Sequence, residues 1–142
     1  MRIYIASDHA GFEMKEAIKQ HFSVGFEWED LGTHSSESVD YPDFAHPLAE
    51  AVAKSPEARA VLLCGTGNGV AMTANKHADV RAALCWNTEI AALARQHNNA
   101  NVVVLPARFI SAEEAFAIVS TFFNTPFEGG RHERRVNKIN IR

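Results

Sequence analysis

Residues 60–74 read AVLLCGTGNGVAMTA. The first four residues form an apolar run of strand length, which is typical of a strand in the middle of a parallel sheet. A glycine-rich turn at residues 65–69 follows and leads into a helix that extends through Ala74. Glycines at alternate positions let the main chain come close to a ligand and point several N–H groups at one spot. This segment therefore predicts a central strand with a binding loop at its carboxyl end.

The rest of the chain alternates between strand and helix patterns. Four more strands are predicted, at residues 3–6, 25–30, 80–86 and 101–105. Further helices are predicted at residues 11–22, 43–54, 88–97 and 111–123, with a short basic helix near the end of the chain. Strands alternating with helices imply right-handed crossovers and a parallel sheet covered on both faces. We therefore expect an α/β fold, a three-layer αβα sandwich with a five-stranded Rossmann-like or flavodoxin-like sheet of order 2-1-3-4-5 and a C-terminal helical extension.

Size and composition restrict the possible functions. The 142 residues suit a single domain, 1–142, whose residues 127–142 form a basic extension that completes the site. A formal charge of -3 gives no reason to expect a nucleic acid or a membrane as partner. The chain begins without a signal-peptide pattern, and no apolar run approaches the roughly 20 residues that span a bilayer. Because Cys64 and Cys85 form no disulfide or metal pattern either, we expect a cytoplasmic protein.

Two polar motifs follow the first and third predicted strands. SDHAG occupies residues 7–11 and CGTGNG occupies residues 64–69. In the expected strand order these two strands flank the switch point of the sheet, and ligands of such sheets bind there, outside the carboxyl ends of the strands. The two most unusual motifs of the chain thus fall where the fold predicts a site.

The glycine loop matches neither of two common nucleotide motifs. The chain has no GxxxxGK[ST] segment, and Val70 and Met72 stand where a dinucleotide-binding loop would have a third small residue. A loop of this kind can hold a phosphate or an oxygen that becomes negative during a reaction. A tight strand-to-helix turn without a ligand is the alternative that the loop by itself leaves open.

Six segments together resemble ribose-5-phosphate isomerase type B, in the family shared with galactose-6-phosphate isomerase subunits. They run in family order over nearly the whole chain: SDHAGFEMK (7–15), DLGTHSSESVDYPDFA (30–45), LLCGTGNGVAMTANK (62–76), VRAALCW (80–86), ARQHNNANVVVLPAR (94–108) and FEGGRHERRV (127–136). The resemblance implies reversible isomerisation of ribose 5-phosphate to ribulose 5-phosphate through a cis-enediolate, a step of the pentose phosphate pathway. It also implies a homodimer, or a tetramer built from it, with sites shared across the interface and with no metal or cofactor.

Cys64 is the candidate base for the proton on C2 of the sugar. It lies at the end of a strand beside a helix start, where a thiol is readily converted to the thiolate. The alternative is a buried core cysteine, which Cys85 fits well. In another branch of the family this cysteine is replaced, and a glutamate directly after the glycine loop is used instead. This chain has Val70 at that position, so the resemblance implies that Cys64 is the catalytic base.

The loop after Cys64 is expected to bind the substrate through main-chain N–H groups that stabilise the enediolate oxygen. The Thr66 hydroxyl could relay a proton or hold a sugar hydroxyl, or could cap the helix. The loop residues assigned to the site are Gly65, Thr66, Gly67, Asn68, Gly69 and Val70.

The resemblance gives roles to three residues outside this loop. It places Asp8 at the sugar ring, where it assists ring opening, and His9 toward the phosphate. For Asp8 the alternative is a helix cap. Tyr41 resembles a family contact near the sugar, and for Tyr41 the alternative is core packing.

His97 and Asn98 end the fourth predicted helix. Ten residues of helix carry them roughly 15 Å from the carboxyl edge of the sheet, so we expect them to act in the site of a partner subunit. The resemblance agrees, with His97 as the ring-opening acid and base and Asn98 as a substrate contact. A polar helix end without a catalytic role is the alternative.

Three arginines are the candidate phosphate ligands. Arg131 and Arg135 are four residues apart and share one face of a helix, and guanidinium groups suit bidentate phosphate binding. The resemblance adds Arg108 to this set. Arg134 and Lys138 lie off the pattern and are interpreted as solvated charge.

Other functions remain open at this point. The nearest is isomerisation of a six-carbon substrate, allose 6-phosphate or galactose 6-phosphate. A non-catalytic phospho-sugar binding protein and an FMN carrier are further alternatives. A metal site is not expected, because the remaining histidines show no HxH or HExxH spacing.

Overall fold

A computed structural model describes residues 2–141, so Met1 and Arg142, the ends of the predicted domain, lie outside the described residues. The strands are β1 Arg2–Ser7, β2 Glu27–Asp30, β3 Ala60–Cys64, β4 Ala82–Leu84 and β5 Val102–Pro106. A 3-10 turn at His9–Gly11 precedes the first helix. The helices are α1 Phe12–His21, α2 Pro42–Ala53, α3 Asn68–Ala74, α4 Thr88–Asn98, α5 Ala112–Asn124 and α6 Arg131–Val136.

The five strands are parallel, in the order β2-β1-β3-β5-β4. The predicted fold class is confirmed, but the expected order 2-1-3-4-5 is wrong at one edge, since β5 rather than β4 pairs with β3. Every residue of β5 is buried, as an interior strand with helices on both faces requires. β4 has three half-buried residues, which suits an edge strand. β1 and β3 are neighbours as predicted, so the switch point lies between them.

Alternate residues of the strands face two separate cores. Ile5, Leu63 and Leu105 pack on the side of α1, α4 and α5. Leu62 and Val104 pack on the opposite side, against α2 and α3. Successive side chains of a strand point to opposite faces, so each apolar run contributes to both cores. The arrangement is the predicted three-layer αβα sandwich.

The helices that cover the sheet are short, and side chains cap the starts of α4 and α5. At the start of α5, Ser111 Oγ accepts the N–H of Glu114 at 3.1 Å, and Glu114 Oε1 accepts the N–H of Ser111 at 2.9 Å. This reciprocal pair satisfies two N–H groups that the helix itself leaves open. Within residues 2–141, none of the helices combines the length and the apolar character that crossing a membrane would need.

The predicted C-terminal helical extension packs on α4. Arg95 Nε donates to the carbonyl of Thr125 at 3.1 Å, and the N–H of Glu128 donates to the carbonyl of Gln96 at 3.1 Å. Gly129 and Gly130 then take positive φ values of 71° and 58°, a conformation that favours glycine. The chain turns there into α6, which lies against α4.

Candidate active site

The ends of β1 and β3 lie side by side and bring the two polar motifs together. The N–H of Asp8 donates to the carbonyl of Leu63 at 3.3 Å. Gly11 packs so closely on β3 that a Cβ there would come within 2.7 Å of Leu63 Cβ. A residue with a side chain would push this segment away from the sheet. The sequence therefore positions Asp8 and His9 beside the glycine loop.

Cys64 is the last residue of β3, and its sulfur accepts a hydrogen bond from the loop. The N–H of Gly67 donates to Cys64 Sγ at 3.2 Å. The turn that makes this contact requires a φ of 78° at Gly67, which glycine adopts readily. The Cys64 side chain is buried against α2 and α3, with 5% of its surface exposed. A donated N–H stabilises negative charge on sulfur, as a thiolate base requires.

The main chain after Cys64 presents N–H groups ahead of α3. The first backbone bond of this helix runs from the N–H of Ala71 to the carbonyl of Gly67 at 3.1 Å. Residues 68–70 precede that bond, so their N–H groups have no partner inside the helix. Thr66 Oγ1 accepts the N–H of Asn68 at 3.2 Å, which is a capping role. The N–H groups of the next two residues are thereby available to an anionic ligand.

Asp8 and His9 are held by main-chain donors. Asp8 Oδ1 accepts the N–H groups of Ala10 and Gly11 at 3.0 and 3.2 Å, so Asp8 does cap the turn that opens α1. Both bonds use Oδ1, so Asp8 Oδ2 takes no part in the cap. His9 Nδ1 accepts the N–H of Val39 at 3.2 Å. In neutral His9 this bond leaves the proton on Nε2, the nitrogen that is free to meet a substrate.

Arg108 and Tyr41 pack directly on the glycine loop. A Cβ at Gly65 would lie 3.1 Å from Arg108 Cδ, and a Cβ at Gly69 would lie 2.6 Å from Tyr41 Cε1. The two glycines therefore make room for these side chains. Tyr41 is 41% exposed, so the core position considered for it is wrong. We use the name glycine-loop group for Asp8, His9, Tyr41, residues 64–70 and Arg108.

A second group of predicted residues lies at the far end of α4. The ring of His97 stacks on His132 of α6, with centroids 4.2 Å apart and an interplanar angle of 11°. His97, Asn98 and Arg135 line a cleft of about 300 Å³ between the two helices, which we call the α4–α6 cleft. Arg131 lies one turn before Arg135 on α6 and is exposed.

The two groups do not meet within one chain. α4 starts after β4, at the carboxyl edge of the sheet, and its 11 residues extend away from that edge by roughly 16 Å. In the described part of the chain, no member of the glycine-loop group lines the α4–α6 cleft. Arg108 was predicted to bind phosphate together with Arg131 and Arg135, but in the single chain it lies over Gly65 instead.

His132 is a member of the second group that the sequence did not reveal. Its Nε2 lies 3.5 Å from Glu128 Oε1. Burial lowers the pKa of His132, and the neighbouring His97 and Arg131 lower it further, while Glu128 acts in the opposite direction; the net shift favours the neutral ring. The ligand atoms of His97, Glu128 and His132 lie within 4.8 Å of one another, a grouping of residue types that metal ions accept. Histidine spacing could not reveal this grouping, because His97 and His132 belong to different helices.

The second cysteine has the structural role that its sequence context predicted. Cys85 is fully buried in the core on the α4 and α5 side. Burial raises the pKa of its thiol from 9.0 to about 12, so the thiol stays protonated at neutral pH. Within residues 2–141 both cysteines carry free thiols, and Cys64 is the one whose sulfur touches the loop.

The fold and the glycine-loop group define a class of protein: an α/β enzyme that holds a thiol beside main-chain donors at a switch point. Comparison with known proteins supports this class. The chain matches the Ribose/Galactose Isomerase family over residues 3–139. It is 46% identical to the probable ribose-5-phosphate isomerase B of Mycoplasma pneumoniae over 139 residues, which are 96% of this chain and 91% of that protein.

Solved structures agree with this match. A ribose 5-phosphate isomerase from Thermotoga maritima superposes with a TM-score of 0.94 at 54% identity, covering 97% of this chain and 96% of that one. Ribose-5-phosphate isomerase B from Mycoplasma genitalium, solved with bound ribulose-5-phosphate, gives a TM-score of 0.94 at 47% identity, covering 97% and 93%. The chain belongs to the ribose/galactose isomerase family, and the predicted enzyme class, an isomerase acting as an intramolecular oxidoreductase, is confirmed.

Proposed function

We propose that the protein interconverts D-ribose 5-phosphate and D-ribulose 5-phosphate. The relatives named for this activity match nearly the whole chain, and the Mycoplasma genitalium enzyme holds ribulose-5-phosphate. The observation in this chain that carries the proposal is the hydrogen bond from the N–H of Gly67 to Cys64 Sγ. It joins the sulfur of the proposed base to a loop of N–H donors, and proton transfer beside a carbonyl requires both a base and such donors.

Cys64 is the proposed base. Its thiolate takes the proton from C2 of the open-chain aldose, the electron pair of that C–H bond forms the C1–C2 double bond, and the C1 oxygen becomes the negative oxygen of a cis-enediolate. The N–H groups of Gly69 and Val70 stabilise that oxygen, and one such donor contributes about 3–4 kcal/mol in other enzymes. The proton then passes from sulfur to C1 while Thr66 relays the hydroxyl proton from O2 to O1, which gives the ketose.

Ring opening precedes this step and uses a residue from each group. Asp8 and His97 move protons between the ring oxygen and the hydroxyl on C1 as the furanose opens. Tyr41 and Asn98 contact the sugar in this scheme.

The phosphate is held by hydrogen-bond donors from both ends of the proposed site. Arg131 and Arg135 of the partner's α6 supply exposed guanidinium groups, and Arg108 and His9 contribute from the glycine-loop side. Paired guanidinium groups bind phosphate oxygens with directed, charge-assisted hydrogen bonds.

The proposed active form is a homodimer, or a tetramer built from it, in which the α4–α6 cleft of one copy completes the glycine-loop group of the other. The exposed side chains of Met72 and Trp86, at 66% and 53% exposure, lie close to the edge strand β4 in the sequence and fold. Large exposed apolar side chains at an open strand edge are typical of an interface. The same edge borders both groups, since β4 residues share surface depressions with Asn68 and with Asn98.

We also place this reaction in the cytoplasm. Two free thiols, one of them the proposed base, persist in a reducing compartment. Sugar-phosphate conversion in the pentose phosphate pathway is the corresponding metabolic context.

The test is a comparative assay of the purified protein on ribose 5-phosphate, allose 6-phosphate and galactose 6-phosphate. We expect the highest kcat/KM on ribose 5-phosphate, and a higher value on either six-carbon substrate would replace the proposed one. The family also includes galactose isomerases, so galactose 6-phosphate is a substrate that the assay has to test. The assay is repeated with EDTA, because a metal held by the His97, Glu128 and His132 grouping would make the activity sensitive to the chelator.

A further inference from the structure

A cavity lies at the amino edge of the sheet, away from the glycine loop. It has a volume of about 810 Å³ and is bounded by the start of β1, the turn before β3, the last turns of α4 and the end of α5. Three arginines from separate elements reach it: Arg2, Arg59 and Arg95. We call it the arginine cavity. None of the groups placed in the proposed reaction lines it.

The two inner arginines are bonded to neutral oxygen atoms. Arg95 is 6% exposed, and its guanidinium donates to the carbonyls of Thr125 at 3.1 Å and Ala100 at 2.6 Å and to Asn99 Oδ1 at 2.9 Å. Arg59 Nη1 donates to the carbonyls of Pro56 and Ala58 at 3.3 and 3.0 Å. Within residues 2–141 neither guanidinium pairs with a carboxylate within 4.0 Å. Their positive charges are thus hydrogen-bonded but not neutralised.

The charges of this region also repel one another. Burial, together with the nearby charges of Arg59 and Arg81, lowers the pKa of Arg95 to about 10. Burial and Arg81 lower the pKa of Arg59 in the same way, while Glu57, on the wall of the cavity, acts in the opposite direction. Removing guanidinium groups from water and placing them near each other is unfavourable unless a negative charge compensates. An anion in the cavity would supply that charge.

The size and the lining of the cavity define the kind of anion. A volume of about 810 Å³ falls in the range of small-molecule sites, about 300–1,000 Å³. Besides the arginines, the lining includes the apolar side chains of Phe123 and Pro126 and the aromatic ring of Tyr4. Guanidinium groups match the oxygens of a phosphate, and apolar and aromatic walls match a planar or apolar body. We propose that the arginine cavity is a second, non-catalytic binding site for a small molecule that carries a phosphate and a planar body, such as a nucleoside monophosphate.

The test follows the backbone amide signals of the intact protein by NMR during titration with AMP and, separately, with inorganic pyrophosphate. We expect AMP to shift the signals of Arg59, Phe123 and Thr125, and pyrophosphate to shift them at higher concentration, because it lacks the planar body. Signals that respond only at residues 65–70, or no response to millimolar AMP, would overturn the proposal. Equal affinity for both probes would show that the cavity recognises only the phosphate and would contradict the proposed recognition of a planar body.

Three variants separate this site from the proposed catalytic one. Arg59→Gln removes a half-buried charge that is bonded to two local carbonyls, so we expect a folded protein whose AMP affinity at the cavity falls about tenfold. Arg134→Gln, the matched control with the same change of charge, should bind AMP as the wild type does. Arg135→Gln removes a proposed phosphate ligand of the reaction and should leave the cavity signals responsive. Unchanged AMP affinity in the Arg59 variant contradicts the proposal, whether or not the isomerase assay succeeds.

Discussion

The glycine-loop group and the α4–α6 cleft differ in whether main-chain or side-chain groups form them. The first is mainly main chain at the ends of two buried strands, with its sulfur and its carboxylate buried and tied to N–H groups within the same segment. The second is mainly side chains at the ends of two helices, where Arg131 and Arg135 are exposed and His97 is positioned by stacking on His132. In the first group the contacts of the sulfur and the carboxylate are local in sequence, whereas the second group depends on how α6 packs on α4.

This difference indicates a division of labour. Donors fixed by buried strand ends need no rearrangement during a reaction, which suits the stabilisation of a developing charge. Exposed arginines on a short helix suit phosphate binding, because their long side chains can extend to the phosphate without being fixed in advance. Changes at Cys64 and in the loop after it should therefore lower kcat, and changes of the α6 arginines should mainly raise KM.

The largest effect is expected from removing the sulfur of the glycine-loop group. Cys64→Ala should lower kcat by about 10²–10⁴-fold, the usual contribution of general acid–base catalysis, with the fold intact by circular dichroism. Cys85→Ala is the control, and it should keep its activity because that thiol lies in the core. Turnover of the Cys64 variant near the wild-type rate would remove Cys64 from the mechanism.

A large effect of a second kind is expected from mixing variants of the two groups. Cys64→Ala and His97→Asn should each be nearly inactive alone. In a hybrid of the two chains, one of the two shared sites has both residues intact, so a random mixture of dimers should recover about a quarter of wild-type activity. The measurement is activity after joint refolding of the two variants. If the site lies within one chain, the mixture stays inactive.

An intermediate effect is expected at α6. Arg135→Gln should raise KM for ribose 5-phosphate about tenfold, the cost of a lost charge-assisted hydrogen bond, with a small change in kcat. Arg134→Gln lies on the same helix with the same change of charge and should match the wild type. Steady-state kinetics of both variants decide this, and equal KM values in the pair would contradict a directed role for Arg135.

The smallest effect concerns the cysteine that neither group uses. Burial raises the pKa of Cys85 to about 12, so above the unfolded value of 9.0 the unfolded chain loses this proton before the folded one does. The protonated Cys85 thiol therefore contributes stability to the folded chain that is fully present below about pH 9 and is lost as the pH rises toward 12. Between about pH 8 and pH 10 the free energy of unfolding should fall about 1 kcal/mol more in the wild type than in Cys85→Ala. Urea unfolding at both pH values measures this, and parallel curves would contradict a buried, protonated thiol.

Most of the fold could be predicted from local patterns. The apolar runs and the capping box identified strands and helices, because burial and hydrogen bonding impose these periodicities on the sequence. The predicted order of β4 and β5 is wrong, because both segments have a strand pattern and the pattern does not say which of them pairs with β3. A signal was present in Val102–Leu105, which is apolar without interruption, whereas the β4 segment includes Arg81 and forms only three paired residues.

The residues of the candidate site could be proposed from motifs, but their grouping could not. The stacking of His97 on His132 and the packing of Arg108 over Gly65 join residues more than 30 positions apart. Such contacts follow from helix docking and from strand order, which local spacing does not encode. The arginine cavity is the clearest case, because Arg2, Arg59 and Arg95 share no motif.

The sequence by itself determined the α/β architecture, the glycine loop after β3 and the family, because strand periodicity and the φ requirement of Gly67 act within a few residues. Only the tertiary structure decided that β5 is an interior strand, that the predicted site residues fall into one group at the carboxyl ends of the strands and another at the end of α4, and that three arginines line one cavity. These features depend on which surfaces are buried against each other, and that is settled by packing of the whole chain.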